Sequence, residues 1–471
     1  MIWIVTVLLL FIIQIATVVV FEFPRPSKAV AWIVILFILP LAGFLFYFFI
    51  GKEYKCKSTA NESDEKRLEQ IKEQLAARCD QNRMEERQVP AVLRQDRIHA
   101  MLVRAASIPV TFGNTTAVFA EGNQAFEDIL EEISRAKHHV HIEFYIIRDD
   151  DLGTRFQQLL IRKVREGVNV RLLYDGIGCH KLNKSYVKRL RDGGVETECF
   201  SPPLSSFFSR RLNFRNHRKI VVVDGRTGYF GGLNIGDEYL GKDPEIGFWR
   251  DTHYRIEGDA VLWIQYTFLT DWYFVTGKLL SGPEYYPDQA GQGSEWVQMV
   301  KSGPDETILE LIFTGIVSAK NRIYIESPYF IPEPGILLAL KTAALSGVDV
   351  RVIMPSKPDY QIVYWASLSY VQELLLAGVR FYCYEKGFIH SKVIIADDLA
   401  ISGSANMDVR SFCGQFELGA VFYDGKVINR LVADFYGDLK VSKEIVREEF
   451  IGRPKLQKCK EAFARLLSPL F

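Results

Sequence analysis

His217-Arg218-Lys219-Ile220-Val221-Val222-Val223-Asp224 is written into this chain twice. His390-Ser391-Lys392-Val393-Ile394-Ile395-Ala396-Asp397 repeats its His, its Lys two residues on and its Asp seven on. Each copy runs into a glycine step that ends in Asn, Gly231-Gly232-Leu233-Asn234 and Gly403-Ser404-Ala405-Asn406. The chain holds only eight histidines, so two such matches with the same tail are no product of composition. The apolar residues inside each copy form short runs of the kind buried strands show. Along a strand, residues two apart share a face, which puts His217 with Lys219 and His390 with Lys392. Asp224 has the opposite parity and precedes Gly225, which suits a hairpin turn and an orienting or structural role.

The duplication reaches beyond the motifs. Residues 136–145, with Glu143, match 319–328, with Glu326; 167–173 match 347–353, and 194–200 match 378–384. Each unit alternates a strand-like run with a helical stretch such as 154–166 or 335–346, which predicts an α/β fold of parallel strands with crossover helices. Two such halves about a pseudo-two-fold axis would bring both His–Lys pairs to one cleft. A neutral imidazole beside a fixed ammonium suits attack on a phosphodiester, one group supplying the nucleophile and the other holding the non-bridging oxygens.

This duplicated His-x-Lys-x4-Asp with its Asn tail resembles the phospholipase D superfamily. Phe248-Trp249-Arg250-Asp251-Thr252-His253 after the first copy, and an apolar N-terminus in front, resemble that superfamily's bacterial cardiolipin synthases over nearly the whole chain. The resemblance implies a duplicated fold of two pseudo-symmetric, mixed or parallel sheet halves with flanking helices. It implies a catalytic set of His217, Lys219, Asp224, His390, Lys392 and Asp397. His217 would attack phosphorus to form a phosphohistidine, and His390 would act as acid and then base. Asn234 and Asn406 would help the lysines hold phosphate oxygens, and Asp251 and Glu417 would orient the histidines. The implied reaction moves a phosphatidyl group from one phosphatidylglycerol to another, giving cardiolipin and glycerol. Neighbouring readings are a membrane phospholipase D and a transferase for another alcohol such as ethanolamine. A nuclease of the same superfamily and a non-catalytic membrane scaffold stand as readings from other classes.

No nucleotide-binding glycine loop is present, and no cofactor is expected. His138, His139 and His141 form the only histidine cluster; without nearby Cys or spaced carboxylates no metal site is expected there. Lys+Arg and Asp+Glu are both 57, a zero formal charge that speaks against a nucleic-acid partner. Seven scattered cysteines, with no paired spacing, point to reduced thiols. Residues 2–21 and 29–50 carry no charge and are each long enough for a membrane helix, so a two-helix transmembrane hairpin is expected over 1–51. Lys52, Lys55 and Lys57 against Arg25 and Lys28 favour a cytoplasmic catalytic body on a bacterial plasma membrane. Residues 52–95 read as a charged, mostly solvated helical connector, 96–280 as the first half and 281–471 as the second. The first half carries eleven extra residues before His217. There Phe207, Phe208 and Phe214 alternate with arginines, as a lip on an anionic lipid surface would.

Overall fold

A computed structural model describes residues 2–52, 61–84, 108–202, 215–289, 293–303, 307–423 and 425–470. The proposed lip, with Phe207, Phe208 and Phe214, lies outside the described residues.

The two halves are two sheets of one topology. In the first, β1 is Thr111–Glu121, β2 His139–Phe144, β3 Asn169–Asp175, β4 Glu196–Phe200, β5 Arg215–Asn216, β6 Lys219–Val223, β7 Thr227–Gly231 and β8 Phe248–Glu257. Strands β4, β3 and β2 are parallel, and β6, β7, β8 and β1 continue the sheet antiparallel from β2. In the second, β9 is Glu295–Ser302, β10 Arg322–Glu326, β11 Phe330–Ile331, β12 Asp349–Pro355, β13 Arg380–Tyr384, β14 Gly387–Ile389, β15 Val393–Ala396, β16 Leu399–Gly403, β17 Met407–Asp408 and β18 Gln415–Phe422. Strands β13, β12 and β10 are parallel, with β15, β16, β18 and β9 following antiparallel. The mixed, duplicated sheet follows the repeat. Both motif strands, β6 and β15, lie in mid-sheet and are buried throughout, as their unbroken apolar runs require.

β1 also pairs with β9, so the sheets join edge to edge, and one apolar core of residues from both halves fills the join. Trp263 sits in that core on a helix, Ala260–Thr276, that is apolar on nearly every side. Such a helix is stable only when buried all round.

At the N-terminus α1 spans Ile2–Phe21, α2 Pro26–Ile38 and α3 Pro40–Phe46, followed by a π-helical turn, Tyr47–Gly51. Among the described residues no helix is long and apolar enough to cross a membrane. α1 is twenty residues long and carries no charge. The second apolar run corrects the expected two-helix hairpin, because it doubles back. Pro40 forces Leu39 out of the helical region (φ −135°), and α3 then returns along α2. The return is close: a Cβ on Gly43 would lie 3.2 Å from Ile35, and one on Gly51 would run into the Trp32 ring. The Tyr47 hydroxyl donates to Glu22 Oε1 at 3.2 Å, and Lys52 Nζ sits 3.2 Å from the centroid of Phe21. Both ends of the second run therefore lie beside the 22–28 turn.

The charged connector forms α4, Glu62–Met84. Its outer face is exposed, but Ile71, Leu75 and Cys79 are buried in the shared core. A narrow stripe was enough to dock it, because Tyr266 and its neighbours present a matching apolar face.

Candidate active site

Two short parallel strand pairs cross from one half to the other. β14 runs beside β8 with Ile389 opposite Arg250, and β5 runs beside β18 with Asn216 opposite Phe416. One step further along each register stand a histidine and a carboxylate. His390 Nδ1 lies 2.7 Å from Asp251 Oδ2, and His217 Nδ1 lies 3.0 Å from Glu417 Oε1. The His390 amide donates to Arg250 O (2.6 Å) and the His217 amide to Phe416 O (2.9 Å), fixing both pairs by backbone. Each motif histidine thus takes its acid from the opposite half. Sequence spacing marked Asp251 and Glu417 as candidates but carried no sign of this exchange, which is a matter of sheet packing.

Lys219 Nζ donates to His217 O at 2.6 Å, and Lys392 Nζ to His390 O at 2.5 Å. Lys219 and Lys392 act electrostatically on each other and on both histidines, so the four cationic-type groups share one cleft. The Tyr145 ring packs at 4.8 Å from His217 and the Trp249 ring at 5.1 Å from His390. With Nδ1–H given to a carboxylate, the Nε2 lone pair of each imidazole is the one left for chemistry.

Burial is the largest influence on the electrostatics. It lowers His217 to about 4 against the pull of Glu417, and His390 to about 3 with further help from Lys392. It lowers Lys219 to about 7 and Lys392 to about 8. Burial would raise Asp251 and Glu417, but Lys392 and His390 outweigh it at the first, and His217 and Lys219 at the second; both carboxyls stay below the usual range. The site without an anion therefore holds two neutral imidazoles, two ionised carboxylates and two ammonium groups poised near neutrality. That is a cradle tuned to gain stability when an anionic phosphate enters.

The other predicted residues divide. Asn406 is buried beside Lys392, lines a small cavity of about 30 Å³ with it, and leaves Oδ1 without a partner among the described residues. Asn234 is buried too, but its Oδ1 accepts the Ile146 amide at 3.1 Å. Asp224 and Asp397, expected with the catalytic residues, stand instead at the motif turns, bound to backbone amides. Each sits at the far end of its motif strand, roughly 20 Å along the chain from its histidine at about 3.3 Å per residue. Both turn residues have positive φ (52° and 50°). Asp224 accepts the amides of Lys137, His138 and His139 at 2.8–2.9 Å, and Asp397 those of Lys320, Asn321 and Arg322 at 2.6–3.0 Å. These carboxylates fasten the starts of β2 and β10 to the motif turns. The invariant spacing within this chain reflects a structural clamp, as the parity of Asp224 indicates.

Several neighbours carried no sequence signal. In the glycine steps, Gly232 and Ser404 occupy matching positions with different consequences. A Cβ at 232 would strike Asp251 Oδ1, whereas the Ser404 hydroxyl donates to Glu417. Behind each acid an arginine holds its carbonyl. Arg218 Nε donates to Glu417 O (3.1 Å) and pairs with Asp271, while Arg250 bonds Asp251 O and pairs with Asp438 at 2.7 Å. The histidine cluster is spoken for: Gln265 lies 3.0 Å from His139 Nε2 and 2.8 Å from His141 Nδ1, and Arg171 3.2 Å from His141 Nε2. Among the described residues no group of three or more His, Cys, Asp or Glu could hold a metal ion.

A family model described as "Cardiolipin synthase, PLD-like domain" matches residues 129–272 and 312–439. Cardiolipin synthase 2 of Bacillus anthracis is 46% identical over 465 residues, 97% of this chain and 89% of that protein. The major cardiolipin synthase of Bacillus subtilis strain 168 is 40% identical over 467 residues, 97% of each. Among solved structures, phosphatidylserine synthase of Haemophilus influenzae Rd KW20 superposes with a TM-score of 0.60 at 15% identity, over 80% of this chain and all of that one. That likeness concerns the fold alone.

Proposed function

Since the chain belongs to the bacterial cardiolipin synthases of the phospholipase D superfamily, we propose that it transfers a phosphatidyl group between two phosphatidylglycerol molecules. The observation that carries this reading is the pair of neutral imidazoles, each anchored at Nδ1 by a buried carboxylate from the other half, with an ammonium beside each. His217 Nε2 attacks the phosphorus of the first lipid. The bond to the glycerol oxygen breaks, and His390 supplies the proton that leaves with glycerol, having gained it as the phosphate anion enters. The terminal hydroxyl of the second lipid then gives its proton back to His390 and attacks the phosphohistidine. The phosphorus–nitrogen bond breaks, and cardiolipin is released. Glu417 and Asp251 hold the tautomers and balance the imidazolium charge, while Lys219, Lys392 and Asn406 bind the non-bridging oxygens. The energy of one phosphodiester is passed to another, so no nucleotide or metal ion enters the scheme.

The apolar N-terminus supports a membrane seat for this chemistry. Uncharged α1 exposes Trp3, Leu8 and Val20, and α2–α3 exposes Phe37 and Leu41. In this reading α1, about 30 Å long at 1.5 Å per residue, inserts in the bilayer. The α2–α3 pair dips in and returns, keeping Arg25, Lys28 and Lys52 on the side of the catalytic body. Positive charge on that side favours the cytoplasmic face.

The test is the product of purified protein in phosphatidylglycerol vesicles with chelator and no nucleotide. Cardiolipin and glycerol in equal amounts, both lost in His217→Ala, are expected. Phosphatidic acid in place of cardiolipin would make the protein a hydrolase.

A further inference from the structure

The duplicated halves present the same helical surface twice. In the first half the helices Gly122–Arg135 and Asp151–Arg165 pack side by side, and in the second Thr307–Ser318 and Pro334–Leu345 do the same. The matches of 136–145 with 319–328 and of 167–173 with 347–353 align the two pairs residue by residue. Their outward faces differ in kind. On the first, Glu131, Arg135, Arg155, Arg162 and Arg165 are exposed, and Arg155 pairs with Glu127 at 2.8 Å from one helix to the other. On the second, Thr314, Ser318, Gly335, Thr342 and Leu345 stand at those five places, and none of them is charged.

Apolar residues also replace neutral polar ones. Ser134 and Gln158 are exposed in the first pair, and their counterparts in the second are Val317 and Leu338. Val317 is 55% exposed, Leu338 64% and Leu345 67%, and Phe313, one turn before Val317, is 42% exposed. A Cβ on Gly335 would lie 4.0 Å from Phe313 Cδ2, so the two helices adjoin at this face. The core does not need these side chains, because Leu311, Ile312, Ile316, Ile336 and Leu340 fill it from the same two helices. Single apolar residues on a surface are ordinary. Four on two adjoining helices, where the duplicate is charged, mark a face that meets something apolar. Glu310 and Lys341 are the charged residues of the two helices, and Lys341 donates to Glu373 at 3.1 Å.

The surroundings indicate what that is. Leu309 and Pro334, at the starts of the two helices, line a cavity of about 630 Å³ whose other wall includes Arg25, Lys28 and Trp32. The face therefore begins beside the turn that joins uncharged α1 to α2. Cationic side chains at such a junction match the headgroup level of an anionic bilayer. On its inner side the helix Thr307–Ser318 lines, through Ile308, Leu311 and Ile312, the small cavity shared by Lys392 and Asn406. One helix, about 10 Å across, thus separates the apolar face from that part of the cleft.

We propose that Phe313, Val317, Leu338 and Leu345 rest among acyl chains at the bilayer surface, so that the catalytic body lies on the membrane by its second half and keeps the charged face of the first half in water. The proposal rests on the membrane seat of the N-terminus above and adds a second contact, which sets how the body is turned.

The test reconstitutes the full chain in phosphatidylglycerol vesicles carrying a photoactivatable diazirine on one acyl chain, and maps labelled peptides by mass spectrometry after irradiation. Label is expected in α1, in 307–318 and in 334–345, with none above the dark control in 122–135 and 151–165. Label in α1 but not in the second helix pair would overturn the proposal, whether water or a second copy of the chain covers that face. Equal label in both helix pairs would overturn it too. No label in α1 would sink the N-terminal membrane seat, and the proposal with it. A triple variant, Val317→Ser, Leu338→Gln and Leu345→Arg, gives the second face the residues of the first. Its transfer on vesicles falls at least about fivefold as apolar contact is lost, while transfer with a short-chain phosphatidylglycerol dissolved as monomers is kept. An equal fall on both substrates would overturn the proposal.

Discussion

In the proposed mechanism Asp251 and Glu417 orient the two histidines that they touch, and they are the residues where small changes are most informative. Asp251→Asn and Glu417→Gln keep the shape but can no longer hold Nδ1–H with a full charge. We expect each to lower turnover by about 10²–10⁴, measured on vesicles at saturating phosphatidylglycerol, with folding unchanged by circular dichroism. The histidines also make a pH prediction. Their folded values, about 4 and about 3, lie below the ordinary 6.5. The unfolded chain therefore takes up protons first as pH falls. The stabilisation is complete above pH 6.5 and is lost as pH drops towards 4 and 3. Thermal unfolding should show Tm falling through that window, with a shallower fall in His390→Gln. A Tm indifferent to pH between 6.5 and 4 would show that the imidazoles are not buried neutral. Behind the acids, Arg250 lies 2.7 Å from Asp438 and 3.7 Å from Glu326, both buried; Arg250→Ala leaves them without it and should cost about 3–5 kcal/mol in denaturant unfolding.

At the scale of elements, the motif turns and the crossing strand pairs had very different legibility in the sequence. The repeat of strand-like and helical runs predicted the β/α order, because periodicity and turn residues are local properties. The motif spacing was legible too, although it mixed two functions. His and Lys report the active site, while the Asp seven residues on reports a clamp between the turn and the start of β2 or β10. Asp224→Ala removes at one stroke the carboxylate that accepts three backbone amides. We expect a loss of about 1–3 kcal/mol in stability with activity per folded molecule kept, read by unfolding and by vesicle assay on the soluble fraction. The pairings of β5 with β18 and β14 with β8 were not legible, since each joins residues of opposite halves through two- or three-residue strands. Nor was the return of α3 along α2: an apolar run of spanning length hides a break that depends on one X-Pro step, Leu39–Pro40.

For the molecule as a whole, duplication explains why one cleft can run two half-reactions. In the proposed scheme each half contributes a histidine to the chemistry, and each histidine meets a carboxylate of the other half, so neither half would hold a complete site alone. The duplicate is imperfect where the roles diverge: Glu417 takes a hydroxyl from Ser404, whereas Asp251 sits against Gly232 and takes the Trp249 indole at 3.4 Å. Such a difference suits one histidine to bear the phosphoryl group and the other to carry protons. The most direct measurement is to quench the protein during turnover with phosphatidylglycerol and to map the phosphorylated peptide by mass spectrometry, in wild type and in His390→Ala. The account predicts a phosphatidyl adduct on His217 in wild type, and far less of it in His390→Ala, where the departing glycerol has lost its proton donor. An adduct on His390, or turnover with no covalent adduct on either histidine, would contradict it.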